Sequence, residues 1–300
     1  MNTILLFGKN GQVGWELQRS LATLGRVVAV ERRQCDMADG AALQALVRDI
    51  RPNVIVNAAA YTAVDQAESD AAQCRAINGI APGILAEEAQ ALGAWLVHYS
   101  TDYVFDGANA GFRLEDDAAN PLNVYGATKL EGERAVQQSG CRHLIFRTSW
   151  IYSAHGSNFA KTILRLARER ETLKVVCDQS GAPTSAELIA DVTASCLGDV
   201  LRAKDDGRQG LYHLVASGET TWHEYAHFIV YRATQTGSLL KCTPERIEAI
   251  PSSAYSMPAK RPVNSRLDTA KLRREFGVVL PDWRYHLNRT LSEIIFKENA

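Results

Sequence analysis

Ile4-Leu-Leu-Phe-Gly8-Lys-Asn-Gly11-Gln-Val-Gly14 is the stretch on which the fold of this chain turns. Its four leading residues are continuously apolar and too few for a helix, the pattern of a short strand buried on both faces. Three glycines follow at once, spaced Gly-x-x-Gly-x-x-Gly, and a helical segment runs from Gly14 to Leu24. That order supplies a tight turn, a backbone bare enough to approach a diphosphate, and free amides at the positive end of a helix. The spacing departs from the Gly-x-Gly-x-x-Gly fingerprint, and a plain strand-to-helix turn would also use glycine. The flanking elements favour a dinucleotide site at Gly8, Gly11 and Gly14.

Outward from this turn the same unit repeats. Val27–Val30, Val54–Val56, Ala94–Val97 and Leu144–Phe146 read as further buried strands, alternating with helices at Ala41–Ile50, Ile77–Leu92 and Tyr125–Ser139. Such alternation predicts an α/β fold, a Rossmann-type doubly wound parallel sheet. Gly25, Gly93 and Gly140 each fall just past a helix, where a left-handed residue is wanted, and Pro52 stops another. Phe159–Arg170 is amphipathic, Leu173–Cys177 reads as one more strand and Ser185–Val200 as a long helix. Beyond about Asp205 the pieces shorten, with prolines at 244, 251, 258, 262 and 281. We expect a dinucleotide-binding domain from residues 1–150 and 174–203. A smaller, mainly C-terminal α/β domain for the substrate would comprise 151–173 and 204–300.

Composition narrows the partners. Across 300 residues, 33 Lys and Arg balance 34 Asp and Glu, so a net charge of -1 offers no field for nucleic acid or an anionic membrane. No apolar run approaches the ~18 residues of a membrane span, and the N-terminus lacks the basic start of a signal peptide. A cytoplasmic protein is expected. The six cysteines form no Cys-x-x-Cys pair and read as buried small hydrophobes in a reducing compartment.

Glu31 closes the second strand, where a carboxylate would bond an adenosine ribose 2′-hydroxyl; Arg32 and Arg33 beside it would suit a 2′-phosphate instead. NADH and NADPH therefore both remain open. Asp36, in Cys35-Asp36-Met37, is placed to accept from an adenine amino group. Asn57-Ala-Ala-Ala60 puts small residues at a strand end, either for a ligand or for tight helix packing. Ser100-Thr101-Asp102 ends a strand, and Tyr125-Gly-Ala-Thr-Lys129 opens a helix two dozen residues later. Positions i and i+4 share a helical face, so Tyr125 and Lys129 point the same way. A free tyrosine has a pKa of ~10, and a neighbouring ammonium would bring it nearer the working range of an acid–base group. Thr101 or Ser100 would hold the reacting oxygen.

In this order the glycine turn, Asn-Ala-Ala, Ser-Thr-Asp and Tyr-x-x-x-Lys resemble the extended short-chain dehydrogenase/reductases that act on nucleotide-sugars. Residues 5–17, 98–105, 146–150, Asp178-Gln-Ser-Gly-Ala-Pro-Thr184 and Arg261-Pro-Val-Asn-Ser-Arg-Leu267 resemble the dTDP-4-dehydrorhamnose reductase branch, over nearly the whole chain. The resemblance implies hydride transfer from NADPH or NADH to the C4 ketone of a dTDP-4-dehydro-sugar, the last step of dTDP-rhamnose synthesis, feeding cell-surface polysaccharide in bacteria. It implies Tyr125 as proton donor, Lys129 as its partner on the nicotinamide ribose, and Thr101 as the group polarising the ketone. By the same resemblance the cofactor is touched by Gly11, Gln12, Val13, Glu31, Asp36, Met37, Ala60, Tyr61 and Thr62. Asp102 and Trp150 match sugar-binding positions, and Arg261 and Arg266 would serve the substrate diphosphate through their guanidinium forks. Glu16, Glu187 and Glu293 match positions that hold Mg2+ at a homodimer contact in some members. Against a dehydratase, Tyr103 stands where those relatives carry a glutamate after Thr-Asp. An epimerase-reductase stays open, and so does a non-catalytic cofactor-binding subunit, although such subunits commonly lose part of the Thr, Tyr and Lys set.

Overall fold

The computed structural model describes residues 1–203 and 207–299, with 297–299 as backbone alone. The expected 203/204 domain boundary opens on residues 204–206 and the expected C-terminal domain closes on residue 300, both outside the described residues.

The first half alternates as expected. It runs β1 (Asn2–Phe7), α1 (Gln12–Ser20), β2 (Gly25–Val30), α2 (Gly40–Ile50), β3 (Val54–Asn57), the short α3 (Val64–Ala67) and α4 (Ala71–Arg75), α5 (Ala81–Leu92), β4 (Trp95–Thr101), α6 (Val124–Gln138) and β5 (Arg142–Thr148). The rest comprises β6 (Ile151–Tyr152), α7 (Phe159–Glu169), β7 (Leu173–Val176), β8 (Ser180–Gly181), β9 (Thr184–Ser185), α8 (Ala186–Arg202), β10 (Gly210–His213), β11 (Thr220–Thr221), α9 (Trp222–Gln235), β12 (Ile247–Ile250), α10 (Ala270–Phe276) and α11 (Trp283–Asn299).

Six strands form the central sheet in the order β10-β5-β4-β3-β1-β2, every pairing parallel. Side chains alternate across a strand, so a strand covered on both sides must be apolar throughout. In β1, Ile4 and Leu6 enter the core beneath α1 and α8, while Leu5 and Phe7 enter the core beneath α2 and α5. The chain leaves β1 for β2 on one side and returns for β3 on the other. This reversal opens a crevice at the carboxyl ends of β1 and β3, where open α/β sheets bind ligands.

Two strands pair differently from expectation. β10 lies in the range assigned to the smaller domain, yet it is the sixth strand of the main sheet, in register with β5. β7, read as a further strand of the dinucleotide domain, pairs only with β12 in a two-stranded parallel ribbon. An apolar run declares a strand but not its neighbour. Gly25 also differs: it begins β2, and a Cβ there would run into the carbonyl of Asn2, so close strand approach requires it. Gly93 and Gly140 do take positive φ, 65° and 74°, and Arg51 does so just before Pro52.

The helix expected over Ile77–Leu92 starts earlier. α4 passes through one wide turn, Ala76–Ile80, bonded in the π manner, before α5 begins with Pro82 in its first turn. Pro82 lacks an amide and cannot close an ordinary turn.

Candidate active site

The glycine turn is shaped by crowding. Gly8 has φ +83°, and a Cβ on it would lie 2.6 Å from the Ala59 amide nitrogen at the end of β3. A Cβ on Gly14 would run into the Gly8 carbonyl. Gly8 thus lets the turn touch β3, and Gly14 lets α1 tuck under the turn. Gly11 caps α1 without a side-chain acceptor, so the first amides of the helix stay open to an anion.

A cleft of about 550 Å³ runs from this turn to the end of β4, lined by Gly8, Gly11, Gln12, Val13, Glu31, Asp36, Met37, Ala60, Thr62, Tyr125 and Lys129 among others. Of the expected cofactor residues, Gly14 and Tyr61 lie off its wall. Tyr61 instead gives its hydroxyl to Asp70 (3.1 Å), while its backbone is held on both sides by the Asn78 amide of the wide turn (2.9 and 3.0 Å). Ala58 and Ala59 of the small-residue run and Ser100 also line the cleft, and the structure adds Thr148 and, from the loop after β6, Gly156 and Ser157. Nothing in their sequence context marks the last two.

At the adenosine end Glu31 accepts from the Asn10 amide (2.7 Å), and Gln34 accepts from the Lys9 ammonium (3.2 Å). Asp36 takes the Ala38 amide (3.0 Å) and the Arg32 guanidinium (3.2 Å), which hold its carboxyl below the ordinary range. Both charge signs stand at this end, as expected.

At the other end α6 presents the paired side chains. Asn123 caps the helix by accepting the Gly126 amide (2.7 Å) and donates to the Lys260 carbonyl (2.7 Å), which seats the first turn. Tyr125 and Lys129 then share a face beside Thr101. Lys129 is 2 % exposed and donates to the Tyr99 carbonyl at 2.5 Å. Burial pulls its ammonium down to about 8, with Glu133 opposing. Burial pushes the Tyr125 phenol up; the Thr101 hydroxyl beside it opposes and Asp102 adds to the rise. The expected lowering of Tyr125 by Lys129 is therefore not the resting state, in which the ammonium sits on a carbonyl and the phenol is firmly protonated. Asp102 is buried, and its carboxyl rises to about 6 because it is desolvated, with Ser265 and Thr101 opposing.

Four buried polar atoms along the carboxyl ends of β4 and β5 lack a protein partner: Nε2 of His98, Oγ of Ser100, Oδ2 of Asp102 and Oγ1 of Thr148. Native interiors leave few such groups. Ser100 and Thr148 line the cleft, so a bound molecule can satisfy them. Together with the uncapped first amides of α1, these atoms fit a dinucleotide.

The expected substrate residues lie beyond this wall. Trp150 is a non-glycine residue at φ +48°, stacked on Trp222 at 3.6 Å. Arg261 has its fork on Asp65 (2.7 and 3.2 Å). Arg266 is committed to Asn264 (2.9 Å), Glu219 (3.0 Å) and the Ala110 carbonyl, and it lines a separate 220 Å³ hollow. These partners place Arg266 apart from the cleft and make it a tie between loops.

Glu16, Glu187 and Glu293 do approach one another, since the last two push the Glu16 carboxyl up, secondary to its burial. Arg19 stands 3.5 Å from Glu16 and Arg289 3.0 Å from Glu187. Among the described residues no cluster of three metal-ligating side chains is arranged to hold an ion. The glutamates of one chain do not fit a metal centre, and no chemistry is routed through one here. All six cysteines are free thiols.

The family model described as "RmlD substrate binding domain" matches residues 1–296. A dTDP-4-dehydrorhamnose reductase from Escherichia coli K12 is 51% identical over 97% of each chain. A crystal structure of a dTDP-4-dehydrorhamnose reductase from Clostridium acetobutylicum superposes with a TM-score of 0.90 at 32% identity, covering 98% of this chain and 99% of that one. The Bacillus anthracis reductase in complex with NADP gives 0.85 at 31%, covering 99% of each. Sequence and fold thus agree over almost every residue, and the chain belongs to the dTDP-4-dehydrorhamnose reductase family.

Proposed function

We propose that the chain reduces the C4 ketone of dTDP-4-dehydro-L-rhamnose to dTDP-L-rhamnose. The observation that carries this reading is Tyr125 beside Thr101, one turn from the buried Lys129, at one end of a cleft whose other end is the glycine turn. The NADP carried by the Bacillus anthracis relative supports a nicotinamide cofactor. NADPH or NADH, when bound, supplies the hydride. Glycines 8 and 11, Gln12 and the open end of α1 hold the diphosphate, and Lys129 lies where a nicotinamide ribose would pass. The raised phenol keeps Tyr125 protonated at neutral pH, ready to deliver its proton to the oxygen that becomes an alkoxide. Thr101 orients that oxygen. Asp102 and the indole of Trp150 face the sugar, and Arg261 reaches its diphosphate on leaving Asp65.

Tyr103 argues against dehydration. It packs edge-on against Tyr125 with ring centres 5.6 Å apart, which puts a phenol where an eliminating enzyme needs a carboxylic acid. The proposal includes a dinucleotide-binding unit of 1–150 and 174–203 joined by β10, a substrate unit from the remainder, a cytoplasmic location and a homodimer. Sedimentation of the purified chain checks the last.

The direct test mixes purified chain, NADPH and dTDP-4-dehydro-L-rhamnose and follows loss of absorbance at the reduced nicotinamide band, with NADH in parallel. Wild type oxidises the cofactor, and Tyr125→Phe lowers kcat by about 10²–10⁴-fold, the ordinary contribution of a positioned acid. An inert wild type, or a fully active Tyr125→Phe, ends the reading.

A further inference from the structure

The loop between β6 and α7 crosses from the second lobe onto the glycine turn. His155 stacks on Trp15 with ring centres 4.4 Å apart, and its Nε2 donates to the Asn10 carbonyl at 3.1 Å. Gly156 and Ser157 of this loop reach the cleft wall. At the loop's end, every polar atom of the Asn158 side chain is assigned. Its Oδ1 accepts the Lys161 amide (3.1 Å) as the cap of α7, so that atom must be the oxygen. Its Nδ2 then donates one hydrogen to the Ser153 carbonyl (2.7 Å) and the other to Oε1 of Gln12 (2.9 Å).

This chain of donors settles the orientation of Gln12, because an amide that accepts on one side must present its N–H groups on the other. The Ser153 hydroxyl, which donates to the His155 carbonyl at 2.6 Å, also points its donor side at the same Gln12 oxygen at 3.3 Å, in keeping with that atom being the acceptor. Gln12 lines the cleft next to the glycine turn, and no acceptor among the described residues takes its Nε2. The geometry points to Asn158 as a positioning residue: it fixes the Gln12 carboxamide so that its two N–H donors face the diphosphate of the dinucleotide. Cofactor grip at the turn is thereby made conditional on the second lobe being seated against the first. This rests on the dinucleotide reading of the cleft.

The test is a double-mutant cycle on NADPH affinity, measured by nicotinamide fluorescence on the free enzyme, with no sugar present. Asn158→Ser retains a hydroxyl that can cap α7 and removes the donor to Gln12. It weakens NADPH binding by about tenfold, the worth of one aligned hydrogen bond to a charged acceptor, with kcat at saturating cofactor little changed. In a Gln12→Ala background the same substitution has no further effect, because nothing remains for Asn158 to orient. Asn158→Asp, an equally good cap, repels the diphosphate in both backgrounds but loses more in the presence of Gln12, whose amide it would turn around. An equal penalty for Asn158→Ser with and without Gln12 identifies a structural role and overturns the inference, as does unchanged affinity in the single variant. If Asn158→Ser does not fold, the Asn158→Asp comparison decides alone, and equal losses in the two backgrounds overturn the inference. Failure of wild type to bind NADPH at all would instead sink the dinucleotide reading.

Discussion

Asp102 shows what a single buried carboxyl does to the whole protein. Its folded value of about 6 stands above its ordinary 3.8 because it is desolvated. The folded state therefore holds more protons than the unfolded chain between those two values, and stability falls as pH rises through that window. Below it both states are protonated and the penalty vanishes; above it the penalty is complete. Asp102→Asn, neutral at all pH, removes this component. Urea midpoints of the two proteins converge near pH 4 and diverge up to about pH 6, with the variant ahead by on the order of 3 kcal/mol at pH 7. Parallel midpoints across that range would refute the strain. The same substitution removes a group that we place against the sugar, so a more stable variant that turns over poorly is the expected combination. At this scale the sequence was informative for Tyr125, Lys129, Thr101 and the glycines, since residue type and spacing alone imply their chemistry. It was silent on the Tyr99 carbonyl under Lys129 and on Thr148, which acquires meaning only as an unpartnered atom on a wall.

Among the elements, α6 carries the most consequence because it holds both Tyr125 and Lys129. Two of its glycines are contact points. A Cβ on Gly126 would strike the Tyr103 carbonyl, and one on Gly132 would strike the Asn78 carbonyl of the wide turn. Asn78 in turn clamps the backbone of Tyr61, whose neighbours Ala60 and Thr62 line the cleft, so helix, turn and cleft are built against one another. Gly132→Ala raises helix propensity yet forces α6 off the wide turn. A loss of about 1–3 kcal/mol in urea denaturation is expected, with lowered kcat; a gain in stability would show that the helix shifts freely. Motif spacing can also mislead at this scale. His223-Glu-Tyr-Ala-His227 at the head of α9 has the form of a zinc-binding helix. Here Glu224 closes a capping box with Thr221, and His223 donates to the Ile247 carbonyl at 3.0 Å. Both residues serve to seat the helix.

For the molecule as a whole, the two lobes share one core. A single apolar cluster runs from Leu6, Trp95 and Phe146 of the main sheet through Leu188 and Leu197 of α8 to Tyr225, Ile229 and Leu287 of the second lobe. β10 reinforces this by returning to the main sheet after α8. We therefore expect one cooperative unfolding transition, coincident by far- and near-UV circular dichroism, and moved upward by about 2.7 kcal/mol at a hundredfold excess of NADPH over its Kd. Two separable transitions would show that the lobes fold independently. A net charge of -1 is compatible with binding two diphosphates because the positive potential is local, at the open end of α1. By itself the sequence determined the alternation of strands and helices, the parallel sheet, the glycine turn and the Tyr125–Lys129 pair. Each of these is written in short-range periodicity and spacing, which local sterics and helix geometry enforce. Only the tertiary structure decided which strands pair, that β10 joins the main sheet and β7 leaves it, that Arg266 is a loop tie, and that Asn158 reaches Gln12. Those depend on contacts between residues far apart in the chain, where many partners are compatible with one pattern and packing selects among them.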